Sequence, residues 1–151
     1  MRSEVILVTN NTELYSSVSD QKFTVNQKIK GLRLVEGTSL DVLKAVRGAV
    51  HLGARLLTHP LCGNLRPYQQ PFRSVLIEER VEERETPCEH FDMDSVSMIE
   101  SAVTIYQDCC DRIVKPQDLC EAVRKDYAFV DSELMRESLA RYGVFLSDSM
   151  F

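Results

Sequence analysis

Four short apolar runs are crowded into the first 80 residues, with one strongly amphipathic stretch among them; this alternation restricts the fold more than any other feature of the chain. "EVILVTNN" is too short for a buried helix and ends in asparagines, so it reads as a buried strand closed by turn residues. "NTELYSSVSD" reads as a short helix of weak propensity, capped by Asn11 or Thr12. "KIKGLRLVEG" reads as a second strand, closed by Gly37. In "TSLDVLKAVRGAVHLG", Leu40, Leu43, Val46, Ala49 and Val50 recur at three and four residues, the period of an amphipathic helix. Thr38 or Ser39 suits its N-cap, Asp41 its first turn and Gly53 its C-terminal cap. "ARLLTHP" reads as a third strand stopping at Pro60, and "RSVLIEE" as a fourth.

Past residue 80 the chain changes character. "RVEERETPCEHFDMD" is dense in acids and reads as a solvated linker. "DSVSMIESAVTIYQDCCDRIV" then carries Val96, Ile99, Val103, Tyr106, Cys110 and Ile113 on one helical stripe. Pro116 suits the first turn of a further helix bearing Leu119, Ala122 and Val123. A last helix is expected from Asp131 or Ser132, carrying Leu134, Met135 and Leu139 to a stop near Gly143.

Strands alternating with helices predict an α/β fold in which helices cover both faces of a sheet. The expectation is a small three-layer sandwich with a mostly parallel four-stranded sheet, its order beginning 2-1-3. The connection into strand four is only a loop, so that strand is expected at an antiparallel edge. Residues 1–151 are expected to form one domain, with the C-terminal helical segment 92–143 packed on it. A chain of 151 residues is long enough for one such core.

Charge divides unevenly: residues 1–75 hold ten Lys and Arg against five Asp and Glu, and residues 76–151 eight against eighteen. The formal net charge of −5 argues against general nucleic-acid binding, which needs a basic face, while a basic front half still permits a local anion site. Opposite halves also suit pairing with a second copy, so a homodimer is expected. No apolar run approaches the roughly 20 residues that span a bilayer, and the start lacks the long apolar core of a secretory signal. With an odd count of five cysteines, reduced thiols and a cytoplasmic location are expected.

In open α/β sheets, ligands sit beyond the carboxyl ends of the strands where strand order reverses. A 2-1-3 order puts "TNN" and "THPLCGN" there. The candidate ligand-binding residues are therefore Asn10, Asn11, Thr58, His59, Gly63, Asn64 and Arg66. His59 can hydrogen-bond as a neutral imidazole, the Asn and Thr side chains offer directional donors and acceptors, and Gly63 permits close backbone approach. Arg66 and Arg73 suit a carboxylate or phosphate. Pro60, Pro67 and Pro71 stiffen the same loop, so bracing of the loop by its own polar groups is the competing reading. "HPLC" and "CEH" offer two His–Cys pairs, but without paired-knuckle spacing, and no metal site is expected. No strand–helix elbow precedes Cys62, which disfavours a thiol hydrolase. Neither GxxxxGK[ST] nor GxGxxG occurs, and no cofactor is expected.

The stretch "SLDVLKAVRGAVHLGARLLTHPLCGNLRPYQQPFRSVLI" resembles the GrdX family, small proteins encoded beside glycine, sarcosine and betaine reductase components of amino-acid-fermenting anaerobes. The likeness rests on a helix ending in His-x-Gly, then "LLTHPL", a Gly-Asn step, a Pro and an apolar strand, with "VTNN" near the start. It singles out His51, Gly53, His59, Pro60, Gly63 and Pro67, while Cys62 stands where a small residue such as Ala is expected. The resemblance implies an accessory or regulatory protein of glycine and betaine reductase metabolism, binding a small anionic metabolite or a reductase component. Two alternatives remain: a small enzyme with His59 as general acid or base, and a docking module using an exposed C-terminal stripe through Tyr106 or Met135.

Overall fold

In a computed structural model of the chain, residues 2–21, 27–63, 65–81 and 91–146 are described. The elements are β1 (Arg2–Thr9), α1 (Thr12–Asp20), β2 (Ile29–Leu34), α2 (Ser39–His51), β3 (Arg55–Leu56), β4 (Ser74–Val81), α3 (Met93–Gln107) and α4 (Glu121–Arg141). Short 3-10 turns occupy Pro67–Gln69, Cys110–Arg112 and Pro116–Asp118. The acidic segment 82–90, with Cys88 and His90, lies outside the described residues, as does Asn64.

The sheet order is β2-β1-β4-β3, with β1 parallel to β2 and antiparallel to β4, and β3 antiparallel to β4. This corrects the expected 2-1-3 start and mostly parallel sheet: the sheet is mixed, β1 and β3 are not neighbours, and the antiparallel strand is central. Burial gives the reason. Val75, Leu76 and Ile77 are each fully buried, so β4 needs cover on both faces and partners on both sides, which only an interior position supplies. β3 pairs at just two residues, with Arg55 exposed, and tolerates the edge.

Side chains on β1 and β4 alternate between two cores, as a pleated strand requires. Ile6, Val8, Val75 and Ile77 pack with Leu43, Val46 and Val50 of α2 and Ile99, Val103 and Tyr106 of α3. Leu7 and Leu76 point the other way, onto Leu14 and Val18 of α1 and Met135 and Leu139 of α4. The three-layer arrangement therefore holds. On the outside of the first layer, Glu100 of α3 accepts from Arg47 at 2.7 Å and His51 at 2.8 Å of α2. The Arg47 hydrogen bond, with a smaller one from His51, keeps the Glu100 carboxyl below its ordinary range.

Local capping follows the sequence. Asn11 caps α1, its side chain accepting from the Leu14 amide, and Thr38 with Asp41 forms a reciprocal capping box on α2. Gly53 takes a positive φ of 106° one residue past the cap of α2. Gly37, at φ 133°, lies directly before the capping box, and a Cβ there would collide with the Asp41 carboxylate. Gly37→Ala is therefore expected to destabilise the fold by about 2 kcal/mol, read as a shift in urea midpoint at unchanged slope.

Two expectations for the C-terminal helices are corrected. α4 is one helix of 21 residues from Glu121, and Pro116 opens only a 3-10 turn. Asp131 and Ser132 resemble cap residues but lie mid-helix. The Ser132 hydroxyl donates back to the Ala128 carbonyl at 2.9 Å, and the Asp131 carboxylate accepts from Ser74 and Asn11, so their polar groups are satisfied without a helix end. Tyr106 and Met135 form no exposed stripe: they are 0% and 2% exposed and belong to the two cores. α3 ends before Cys110, which is exposed, while Cys109 is buried.

Candidate functional site

The loop between β3 and β4 is held from within by Arg73, which is 2% exposed. Its Nη1 donates to the carbonyls of Pro60 (2.9 Å) and Cys62 (3.1 Å), its Nη2 to Gln70 Oε1 (3.0 Å) and its Nε to the Tyr106 hydroxyl (3.0 Å). The guanidinium also lies 5.6 Å from the centre of the Tyr106 ring. A planar fork of donors thus gathers acceptors from two stretches of the irregular loop and from α3.

The other predicted groups on this loop have local partners. Thr58 Oγ1 accepts from the Leu76 amide at 3.0 Å, extending the β3–β4 pairing. His59 is exposed, and its Nδ1 accepts from the Leu61 amide at 3.0 Å, which places the proton of the neutral ring on Nε2. Gly63 takes φ 130°, and a Cβ there would meet Gln70 Oε1 and Leu134 Cδ1 at 3.1 Å. Arg66 is exposed, its Nη1 donating to the Tyr68 hydroxyl at 3.4 Å.

The two asparagines at the end of β1 bind elements together. Asn10 Nδ2 donates to the carbonyls of Gly37 (3.1 Å) and Pro71 (2.9 Å), and its Oδ1 accepts from the Arg73 amide (2.9 Å). One side chain therefore ties the loops that follow β2 and precede β4 to the end of β1. Asn11 Nδ2 reaches α4, donating to the Ala128 carbonyl and Asp131 Oδ2, both at 3.0 Å, with Ser132 Oγ at 3.3 Å. Ser74 Oγ donates to Asp131 Oδ2 at 2.7 Å. With that hydrogen committed, the Thr9 hydroxyl donates to Ser74 (2.7 Å) and accepts from the Asn11 amide (2.9 Å). Burial pushes the Asp131 carboxyl pKa up, against the opposing pull of the Ser74 and Asn11 hydrogen bonds and the Arg73 charge.

Above these asparagines lies a cleft of about 470 Å³, at the carboxyl ends of the two parallel strands β1 and β2. Its floor includes Asn10, Asn11, Val35 and Phe72, and one wall is the start of α1 with Thr12 and Glu13. Glu36 and Gly37 also line it, as do Arg124, Lys125 and Ala128 of α4. Two helix starts therefore meet on one cavity. The Leu14 and Tyr15 amides are taken by Asn11, whereas those of Thr12 and Glu13 have no partner among the described residues. Cys120 caps α4 without a side-chain hydrogen bond, which leaves the first-turn amides of that helix uncapped too.

Of the sequence candidates, the structure brings Asn10 and Asn11 to this cleft. Thr58, His59, Gly63 and Arg66 lie on the Arg73-braced loop and do not line it. Sequence reasoning passed over Thr12, Glu13, Glu36, Phe72, Arg124 and Lys125. Gly37 was legible as a strand end, but Arg124 and Lys125 read as ordinary charges on a helix and carried no signal. Among the described residues, no group of three or more His, Cys, Asp or Glu side chains is gathered for a metal ion, and no helix is long and apolar enough to cross a membrane.

The architecture defines a mixed α/β protein with a cleft at the ends of its parallel strands. Comparison with protein families finds a match over residues 6–140 to the family described as GrdX-like protein, and the chain belongs to that family. The matched stretch runs from β1 through most of α4 and contains every residue lining the cleft. Neither the curated proteins nor the solved structures give a match.

Proposed function

We propose that this protein is an accessory protein of glycine reductase systems that holds a small carboxylate-bearing metabolite in the cleft between α1, β2 and α4. Family membership supports the link to those systems. The observation that carries the ligand reading is the meeting of two helix starts with open amides and the Arg124 side chain on one cavity. Helix starts concentrate partial positive charge and hydrogen-bond donors, the two things an oxyanion needs. Arg124 makes no ion pair among the described residues, so its charge is available to a ligand. Accessory work fits better than catalysis by His59, because that imidazole stands outside the cleft with Nδ1 engaged by its own loop.

The test is a thermal-shift series on the full chain with glycine, sarcosine, betaine and acetyl phosphate, using wild type, Arg124→Glu and His59→Gln. A ligand at 100 times its dissociation constant adds about 2.7 kcal/mol, which raises the melting temperature by several degrees in a chain of this size. The expected result is a shift that Arg124→Glu removes and His59→Gln leaves in place. A shift lost only in His59→Gln would move the site to the β3–β4 loop, and no shift with any compound would remove the metabolite reading.

A further inference from the structure

We propose that the ligand of this cleft is dipolar, with a carboxylate at one end, an ammonium or guanidinium at the other, and an apolar spacer between them, as in a short peptide or a long ω-amino acid. The proposal rests on the cleft being a ligand site and adds the class of molecule that fits it.

Five charged side chains line the cleft: Glu13, Glu36, Glu121, Arg124 and Lys125. Glu121 and Lys125 satisfy each other across one turn of α4 at 3.3 Å. Glu13, Glu36 and Arg124 have no ion-pair partner among the described residues. Of the open acids, Glu13 is in the first turn of α1 and Glu36 follows β2, while the open cation is on α4. A simple anion would answer Arg124 and the helix starts but would leave two carboxylates facing it. A simple cation would do the reverse. A molecule carrying both charges answers both signs.

Glu13 has a structural explanation, since an acid in the first turn of α1 suits the helix dipole. Glu36 has none, and its backbone is fixed on both sides. The Val35 amide donates to the Thr9 carbonyl at 2.8 Å, and the Gly37 carbonyl accepts from Asn10 at 3.1 Å. The backbone of this turn is thus fixed, and it places the exposed Glu36 side chain at the cavity rim, with no ion-pair partner among the described residues.

Size and lining set the spacer. A cavity of about 470 Å³ lies in the range of sites for drug-sized ligands. A five-heavy-atom amino acid, at roughly 30 Å³ per displaced atom-sized water, fills only about a third of it. The lining also includes Leu34, Val35, Phe72, Pro116 and Ala128, apolar surface suited to methylene or side-chain carbon.

The experiment is isothermal titration of the full chain with 6-aminohexanoate, hexanoate, hexylamine and glycine. Each is run on wild type, Glu36→Gln and Arg124→Gln. The expected result is that 6-aminohexanoate binds about fivefold more tightly than either single-charge probe, the gain of one additional exposed ion pair. Glu36→Gln should erase its advantage over hexanoate, and Arg124→Gln its advantage over hexylamine. Unchanged melting temperatures would show that both variants remain folded. Hexanoate binding as tightly as 6-aminohexanoate in wild type would overturn the dipolar proposal and leave the carboxylate site standing. Glycine binding as tightly would overturn the spacer. Failure of all four probes would remove the cleft as a site and the proposal with it.

Discussion

Arg73→Ala is expected to lower the unfolding free energy by about 4 kcal/mol. The side chain is almost wholly buried, and its removal leaves two backbone carbonyls, the Gln70 amide oxygen and the Tyr106 hydroxyl without their donor. It also takes away the positive charge that favours the ionised form of buried Asp131. Arg73→Lys should recover only part of the loss, because one compact ammonium cannot serve acceptors arranged around a planar fork. Urea denaturation of the three proteins measures this directly. A loss below about 1 kcal/mol for the alanine variant would mean that the loop after β3 closes without its guanidinium.

The second large effect concerns Asp131. Replacement by alanine strands the Ser74 hydroxyl and one donor of Asn11 in a buried setting, at an expected cost of about 2 kcal/mol. Replacement by asparagine keeps the shape and an acceptor while removing the charge. Because burial raises the carboxyl pKa in the folded state, the native protein binds more protons here than the unfolded chain above the ordinary value of 3.8. Stability contributed at this position is therefore present below that pH and is lost as pH rises toward the folded-state pKa. Relative to Asp131→Asn, wild type should weaken progressively as pH rises from about 4, then run parallel once Asp131 is ionised in both states. Stability curves that stay parallel across the whole range would show that the carboxyl titrates as it does in the unfolded chain.

Both positions show why part of this protein was legible in the sequence and part was not. The strand runs, the α2 stripe, the Asn11 and Thr38 caps and the glycines at 37, 53 and 143 depend on neighbours within a few residues. Their physics is local, and a linear reading reaches it. Arg73 is harder: it reads as a ligand-facing cation, because nothing near it in sequence shows that Pro60, Cys62 and Tyr106 will surround it. Asp131 and Ser132 read as a helix start, because side chains of that kind seek backbone amides when no other partner is at hand. The partners that keep α4 continuous come from Ser74 and Asn11, 57 and 120 residues away.

The candidate site divides along the same line. Asn10 and Asn11 were within reach because the carboxyl end of a first β-strand is a general place for ligands. Glu36, Arg124 and Lys125 were not, since only packing brings the start of α4 over the ends of β1 and β2. Residue pattern alone determined that this chain builds an α/β layer structure, where most elements begin and which faces they bury, because hydrophobic period and capping act over one or two turns. Tertiary structure decided the sheet order, the continuity of α4, the internal task of Arg73 and the position of the cleft. Each of those turns on which distant groups satisfy a buried strand, a buried charge or an open helix end, and that pairing exists only once the layers have closed.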